Sequence, residues 1–475
     1  MQTMRLTITT ILLIGLLSAC KNSTKNTTGS EDTKKPNIIF ILADDQRNDV
    51  LSIAGHPIVK TPTIDKLAEN GIRFTNAFVT TSICAASRAS IFTGLHESKH
   101  NYTFGKPALK TKYMQSSYPY MLKKAGYITG LIGKFGIKIE NRDSLLNELF
   151  DYHKLSPKST PHFIEQNDGS RRHSAEIKGD QAVDFIKKQS ADQPFCLSLN
   201  FNAVHAVDGN KTPGNEGHYP YPAAVGDMYK DMEMPKPKLS DPKIYDKHPE
   251  FLKKSFNRER YFWRWDTAEK YQTNMRAYYR MISGYDNVIK RVLETLKRQG
   301  LDKNTIIIYS ADNGYYMGNR GFAGKWSHYE ESLRVPLIIY DPRIPENQAE
   351  IVSDKMALNI DIASTILEYA QVSQPQVYQG SSLVPIVKGE KVNNWRKRFF
   401  CEHKMGNKHI PKYIGIRGEQ YVYANYYEQE PAYEYLHDLK NDPDQLVNLA
   451  RNSEYKELLS TMRTECKSLE IELKR

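Results

Sequence analysis

Five short runs rich in isoleucine, leucine and phenylalanine constrain this chain more than any other feature: PNIIFILADD, GYITGLIGKFG, PFCLSLNFNAVH, NTIIIYSADNG and RVPLIIYDP. A strand with one wet face alternates apolar and polar residues. These runs do not, so they read as strands buried on both faces, as in a parallel sheet covered by helices. Segments with helical spacing separate them: TIDKLAENG, YPYMLKKAG and AYYRMISGYDNVIKRVLETLKRQG. Strands alternating with helices predict an open α/β sheet, and such sheets bind ligands at the carboxyl ends of their strands. Four of the runs reach polar groups there, namely Asp44 and Asp45, Lys134, His205, and Asp312 with Asn313. The fifth closely follows Lys325. These side chains are therefore expected to converge on one crevice, although Asp44 and Lys325 lie 281 positions apart.

From about Trp395 the pattern changes. RFFCEH, YIGIRGEQYVYANYY and AYEYLHDLK alternate, which predicts a small antiparallel sheet, and EYKELLSTMRTECKSLEIELKR predicts a closing amphipathic helix. The fold class expected is α/β, with a large mixed, mostly parallel sheet sandwiched by helices over residues 37–393. A C-terminal α+β subdomain is expected over 394–475. The interval from about Ser156 to Arg260, rich in Pro, Lys, Asp and Tyr, reads as long insertions of the kind that carry substrate-binding loops.

At the N-terminus Arg5 precedes the apolar run ITTILLIGLL, which ends in Leu17-Ser18-Ala19-Cys20. The run has the form of a secretory signal and is shorter than the ~20 residues of a membrane span. LSAC also resembles a bacterial lipobox, in which Cys20 becomes the lipid-modified first residue. Residues 1–19 are then a lipoprotein signal peptide, and the polar 20–36 a flexible tether. An exported bacterial lipoprotein of the periplasm or outer membrane is expected, touching the membrane only through that lipid. Removing 1–19 takes away one cation, Arg5, and lowers the formal charge from +11 to +10. Such a balance suits polyanions, which outside a cell are mostly polysaccharides or lipid head groups, and no nucleic-acid motif accompanies it.

Cys84 stands in SICAASRASIFTG, four positions before Arg88, and no CxxC spacing or small-scaffold disulfide pattern involves it. Taken alone it could be a structural thiol or a thiolate nucleophile activated at a helix start. Asp44, Asp45, Asp312 and Asn313 could each cap a helix. Together they offer only oxygen ligands, which suits calcium or, less often, magnesium; zinc would more usually bring histidine or cysteine.

The string Cys84-Ala85-Ala86-Ser87-Arg88 followed by Thr93-Gly94 closely resembles the signature of the type I sulfatases, of the alkaline-phosphatase-like superfamily. In that family the cysteine is oxidised to formylglycine (3-oxoalanine) by a maturation enzyme. PNIIFILADDQ, GKFG, FNAVH, ADNG, GKWSHYEESLRVPLII and HDLKNDPDQLVNLA also resemble sulfatase segments, in the expected order. The resemblance implies a calcium-dependent sulfuric ester hydrolase in which one hydroxyl of hydrated formylglycine at position 84 attacks sulfur and the other later helps expel sulfate. It implies a metal site of Asp44, Asp45, Asp312, Asn313 and the modified residue 84. Arg88, Lys134 and Lys325 are the implied cations, and His205 acts as general acid with Lys325.

Two places depart from the family: Gly318-Asn319-Arg320-Gly321 stands where many relatives have a Gly-Glu-His-Gly-like run, which points to a different substrate, and the other is at 136. Many sulfatases have Lys-Trp-His where this chain has Lys134-Phe135-Gly136, so His96, His100 and His328 are candidates to replace the missing imidazole. The substrate expected is a sulfated carbohydrate, with His100, Arg264, Asp266 and His403 as candidate contacts and Trp265 beside them. Two alternatives stay open: a phosphodiesterase or phosphonate monoester hydrolase on the same scaffold, and a non-catalytic lipoprotein that binds sulfated glycans.

Overall fold

In the computed structural model, which describes residues 34–156, 162–209, 211, 217–345 and 352–475, the apolar runs are strands covered on both faces. Residues 1–19, Cys20 and most of the 20–36 segment lie outside the described residues. No helix among the described residues is long and apolar enough to cross a membrane.

In chain order the strands are β1 Asn37–Ala43, β2 Ile72–Phe74, β3 Ala77–Phe78, β4 Ile128–Gly133, β5 Tyr152–Leu155, β6 Phe163–Glu165, β7 Arg171–His173 and β8 Phe195–Asn200, followed by β9 Thr305–Ala311, β10 Leu337–Tyr340, β11 Val352–Ser353 and β12 Ala357–Leu358. Eight of these form one sheet in the order β11-β2-β10-β9-β1-β8-β4-β5. Pairing is parallel except at β10, which runs against both its neighbours. That corrects the expectation that RVPLIIYDP belongs with the parallel strands. The chain between β9 and β10 stays at the carboxyl edge of β9, so β10 must run back from it.

The register carries the site. Ala43 pairs with Ala311, and Asn200 pairs with both Leu42 and Gly133. Asp44 and Asp312 therefore leave neighbouring strands at one level, and Lys134 leaves β4, on the far side of β8, one residue earlier. Each isoleucine of β1 and β9 is buried, contributing on the order of 1.5–3 kcal/mol of transfer free energy. The 31-residue helix Ala268–Arg298 packs on the helices Ser174–Lys187 and Pro62–Glu69, while the helix Cys84–Thr93 packs on Asp361–Tyr369 and Tyr118–Lys124.

Ser174–Lys187 lies inside the interval read as insertions, and a 14-residue helix there departs from that reading. Its start escapes the usual signals because the cap is a histidine. His173 Nδ1 accepts from the Ala175 amide at 3.3 Å, and Glu176 Oε2 accepts from the His173 amide at 3.2 Å. That is a capping box without serine or threonine.

The C-terminal strands β13 Arg398–His403, β14 Tyr413–Gly418, β15 Tyr421–Tyr426 and β16 Tyr433–Asp438 form an antiparallel sheet in that order. Alternation sorts their side chains. Phe399, Cys401, Tyr413, Ala424, Tyr426 and Tyr435 join the main core, whereas Phe400, Ile416, Tyr423 and Leu436 pack with Leu459, Met462 and Cys466 of the closing helix Lys456–Lys474. Residues 35–475 form a single unit.

Candidate active site

Ile83 is extended (φ −143°, ψ 126°) and the helix Cys84–Thr93 begins at the next residue, so Cys84 stands in its first turn, where backbone N–H groups have no intrahelical acceptor. All ten residues of this helix are buried, an unusual fate for a segment containing Arg and three hydroxyl groups. The arginine explains it. Arg88 is fully buried because its Nε donates to Asp312 Oδ2 at 2.7 Å and its Nη1 to the Lys134 carbonyl at 2.7 Å. The helix is thus tied to the ends of β9 and β4.

The strand-end groups meet around the start of this helix. Ligand atoms of Asp44, Cys84 and Asp312 lie within 4.8 Å of one another, as do those of Asp44, Asp45 and His205. Lys134 Nζ pairs with Asp44 Oδ2 and Lys325 Nζ with Asp45 Oδ1. The Asp45 amide donates to Asp312 Oδ1 at 3.2 Å, and Asn313 Nδ2 donates to Asp45 Oδ1 at 2.8 Å. Three carboxylates therefore face three side-chain cations in a buried cluster. Leaving one such charge unpaired costs about 3–5 kcal/mol.

These charges set the protonation states. Burial opposes ionisation of Asp44, but Lys134, with His205, Arg88 and Lys325, holds its carboxyl well below the usual range. Asp45 is likewise lowered, Lys325 outweighing burial. Asp312 differs: burial and the nearby Asp44 push it up to about 6 despite Arg88. Lys134 and Lys325 are buried, yet Asp44 and Asp45 respectively raise both ammonium groups above their ordinary value.

Two oxygens in this cluster, Asp44 Oδ1 and Asn313 Oδ1, are buried and accept no hydrogen bond. An unsatisfied buried acceptor is costly, and a cation satisfies both at once. With Asp45 and Asp312 completing an all-oxygen set, the residues fit a hard divalent ion.

His205 flanks the cluster. Its Nδ1 donates to the Ala206 carbonyl at 2.7 Å, and its Nε2 lies 3.8 Å from Asp45 Oδ2. Burial lowers its pKa although Asp45, Asp44 and Asp208 pull the other way. Cys84, Lys134, His205 and Lys325 all line one cleft of about 440 Å³.

Gly136 lines the same cleft with φ +74°, and a Cβ there would lie 2.8 Å from Arg88 Cδ. The arginine fills the space a side chain at 136 would need. Gly136→Ala is therefore expected to push Arg88 off Asp312, lowering kcat at least about 10-fold and stability by about 1–2 kcal/mol. Steady-state kinetics and a thermal melt check this; wild-type values in both would contradict it.

None of the histidines considered as a replacement for the missing imidazole lines the cleft. His100 bonds Ser90 Oγ at 3.1 Å and accepts from the Tyr102 amide. His328 contacts Tyr426 and His437 inside an aromatic cluster, and His96 is buried against Phe400. His205 is the one histidine lining the cleft among the described residues.

The four candidate substrate contacts also fall elsewhere. His100 and His403 are buried outside the cleft lining, and Asp266 lies in a separate surface groove, paired with Lys270 at 2.8 Å. Arg264 is fully buried, bound to Asp208 and to Tyr315 Oη at 3.0 Å, and Trp265 packs between Tyr219 and Tyr271. The cleft wall is built instead from residues that sequence reasoning missed: Phe104, Asp208, Phe256, Arg260, Trp326 and Asn407. One signal was available, the pair Arg260 and Arg264 spaced one helical turn apart.

A sequence model of the family described as Sulfatase matches residues 36–372, and one described as N-sulphoglucosamine sulphohydrolase, C-terminal, matches residues 318–472. The chain is 29% identical to an N-acetylglucosamine-6-O-sulfatase of Bacteroides thetaiotaomicron, covering 92% of this chain and 86% of that protein. It is 28% identical to a ulvan-active sulfatase of Formosa agariphila, over 93% and 82% of the two chains. Its fold is similar to that of a protein solved in complex with its substrate D-glucosamine-2-N,6-O-disulfate (TM-score 0.73, 25% identity, 93% and 98% covered). It is also similar to the phosphonate monoester hydrolase of Agrobacterium radiobacter (TM-score 0.76, 21% identity, 92% and 96% covered), a likeness of fold alone.

Proposed function

The chain belongs to the sulfatase family and is a sulfuric ester hydrolase, and from that premise we propose that it removes sulfate from sulfated carbohydrate using formylglycine made from Cys84 and a bound calcium ion. The observation that carries this reading is the meeting of Cys84 with Asp44 and Asp312 within 4.8 Å, at a helix start and between two buried lysines. The names of two relatives, one acting on N-acetylglucosamine 6-sulfate and one on ulvan, support the carbohydrate class. So does a cleft wall that combines aromatic rings with charge.

Formylglycine, as its hydrate, supplies a hydroxyl nucleophile and a second hydroxyl for expelling sulfate. Asp44, Asp45, Asp312 and Asn313 would hold the calcium ion, which would supply Lewis acidity to the reaction. The remaining work falls to this chain's side chains. Lys134 and Lys325, kept charged by their aspartates, neutralise the sulfate and orient it. Arg88 fixes Asp312 and the start of the helix. His205 donates its Nδ1 proton to the Ala206 carbonyl, so Nε2 is the nitrogen left to serve the leaving group; as the imidazolium, which burial opposes and Asp45 and Asp44 favour, it gives the departing sugar oxygen its proton, with Lys325 beside it. An enzyme for exported substrate accords with a signal at residues 1–19 and lipid on Cys20, placing it in the periplasm or outer membrane.

The test combines peptide mass spectrometry across Thr81–Arg88, on protein made with a formylglycine-generating enzyme, with product assays on sulfated sugars, an aryl sulfate and a phosphonate monoester. Formylglycine at 84 together with sulfate release from sugars is expected. An unmodified cysteine in active protein would remove the proposed nucleophile, and faster phosphonate hydrolysis would favour the other chemistry of this scaffold.

A further inference from the structure

The reaction centre balances its charges one to one: Lys134 with Asp44, Lys325 with Asp45, and Arg88 with Asp312. The wall of the same cleft does not. There Asp208 receives two guanidinium groups, Arg260 through Nη2 on Oδ2 and Arg264 through Nη2 on Oδ1. Either one neutralises Asp208. Arg264 is fully buried and anchored a second time by Tyr315, so it is the structural partner. Arg260 lines the cleft and is left as the surplus cation.

Its placement goes beyond what pairing requires. The Arg260 guanidinium lies 4.9 Å from the ring centre of Phe256 and 4.8 Å from that of Trp326, and these two rings stack on each other at 5.8 Å. Its Nε is buried and has no hydrogen-bond partner. A guanidinium fixed on two rings and one carboxylate has lost its rotamer freedom before any ligand arrives, which is the condition for selective recognition of an anion. Trp326 follows Lys325 directly in the chain and lines the cleft with Phe256 and Ile410, so an apolar surface for a sugar face lies next to this cation.

We infer that Arg260, held by Asp208 against Phe256 and Trp326, reads a second anionic group on the leaving sugar, so that the preferred substrate carries a carboxylate or a second sulfate in addition to the ester that is cleaved. This rests on the proposal that the substrate is a carbohydrate and narrows it. A sugar with only the scissile sulfate leaves the one excess positive charge of Arg260, Arg264 and Asp208 unbalanced in a partly desolvated wall, and discrimination follows from that penalty.

The test measures kcat/KM of the matured, calcium-loaded enzyme on a hexosamine with one sulfate ester, the same sugar with a second sulfate, a sulfated uronate, and 4-nitrophenyl sulfate. Wild type is expected to favour at least one dianionic sugar over the monosulfated one by about 10²-fold. Whichever dianion is favoured supports the inference and names the group that Arg260 reads. In Arg260→Leu that ratio is expected to fall to near one, and Arg260→Lys to keep an intermediate ratio because charge remains without the fork. Asp208 keeps Arg264 in both variants, and a melt at the wild-type midpoint shows that the wall has kept its fold. A variant that melts early is replaced by Arg260→Gln, read by the same ratio. Equal rates on mono- and dianionic sugars, or a ratio that survives Arg260→Leu, would overturn the inference and leave the carbohydrate reading standing. Release from 4-nitrophenyl sulfate alone would overturn both.

Discussion

Cys84→Ala is expected to lower sulfate release by at least about 10⁴-fold while leaving the melting temperature close to wild type, the pattern of a lost nucleophile. The two readouts separate because the side chain does little for the fold. Cys84 is 7% exposed, and its removal deletes one sulfur at the start of a helix. The tie that holds that helix, Arg88 to Asp312 and to the Lys134 carbonyl, is untouched. Truncation of this size costs on the order of 1 kcal/mol.

Wild-type protein made without the maturation enzyme should share the loss although its thiol is intact. That second arm decides between two nucleophiles. Cys84 lines the cleft with Lys134 and Lys325 at a helix start, so geometry by itself allows a cysteine to attack. Full activity in unmatured protein would establish the thiolate and end the role of formylglycine.

One group of the site residues read from sequence alone shares a physical property: they follow strands buried on both faces. β1, β8 and β9 had to be continuous apolar runs, and the polar residue ending each run stands out for that reason, as Asp44, His205 and Asp312 do. Cys84, Arg88 and Lys325 lie outside those strands and were legible through short motifs. The substrate wall has neither a period nor a motif. Phe104, Asp208, Trp326 and Asn407 come from separate loops and Arg260 from the helix Phe256–Arg264, and apart from the Arg260–Arg264 spacing and the place of Trp326 after Lys325 their neighbours in the chain do not mark them.

The segment Arg260–Asp266, RYFWRWD, shows how narrow the margin is. Arg260 and Arg264 differ by one turn and both bind Asp208, yet Arg264 is turned into the core toward Tyr315 while Arg260 lines the cleft. Choosing Arg264 and Asp266 as contacts required knowing where that helix sits. His100 and His403 lie away from the cleft for a different reason. A histidine in a polar stretch reads as available, but burial places His100 between Ser90 and Tyr102 and His403 wholly inside. The absence of an imidazole at 136 was legible, and its steric cause, the Arg88 side chain 2.8 Å from a would-be Cβ, was not.

Removing divalent ions is expected to abolish turnover and to lower the unfolding midpoint, with calcium restoring both. The sign follows from the charges. Burial, with the neighbouring charge of Asp44, pushes Asp312 up to about 6, and Asp44 Oδ1 and Asn313 Oδ1 have no partner. A cation bound among them relieves the repulsion and satisfies both oxygens. An ion at about a hundred times its Kd adds about 2.7 kcal/mol to the folded state. Asp44→Asn is the informative variant, and only its response to calcium matters. The substitution also leaves Lys134 short of a counter-charge, so its midpoint in chelator should already be lower by an amount that says nothing about the ion. The increment on adding calcium cancels that loss, because both measurements are made on the same variant. Wild type should show the increment and Asp44→Asn should not. Magnesium should do less than calcium, since it demands near-octahedral geometry and gives up its waters reluctantly. A wild-type enzyme indifferent to chelator, or an Asp44→Asn variant with the full calcium increment, would mean that the two unpartnered oxygens serve something other than a metal.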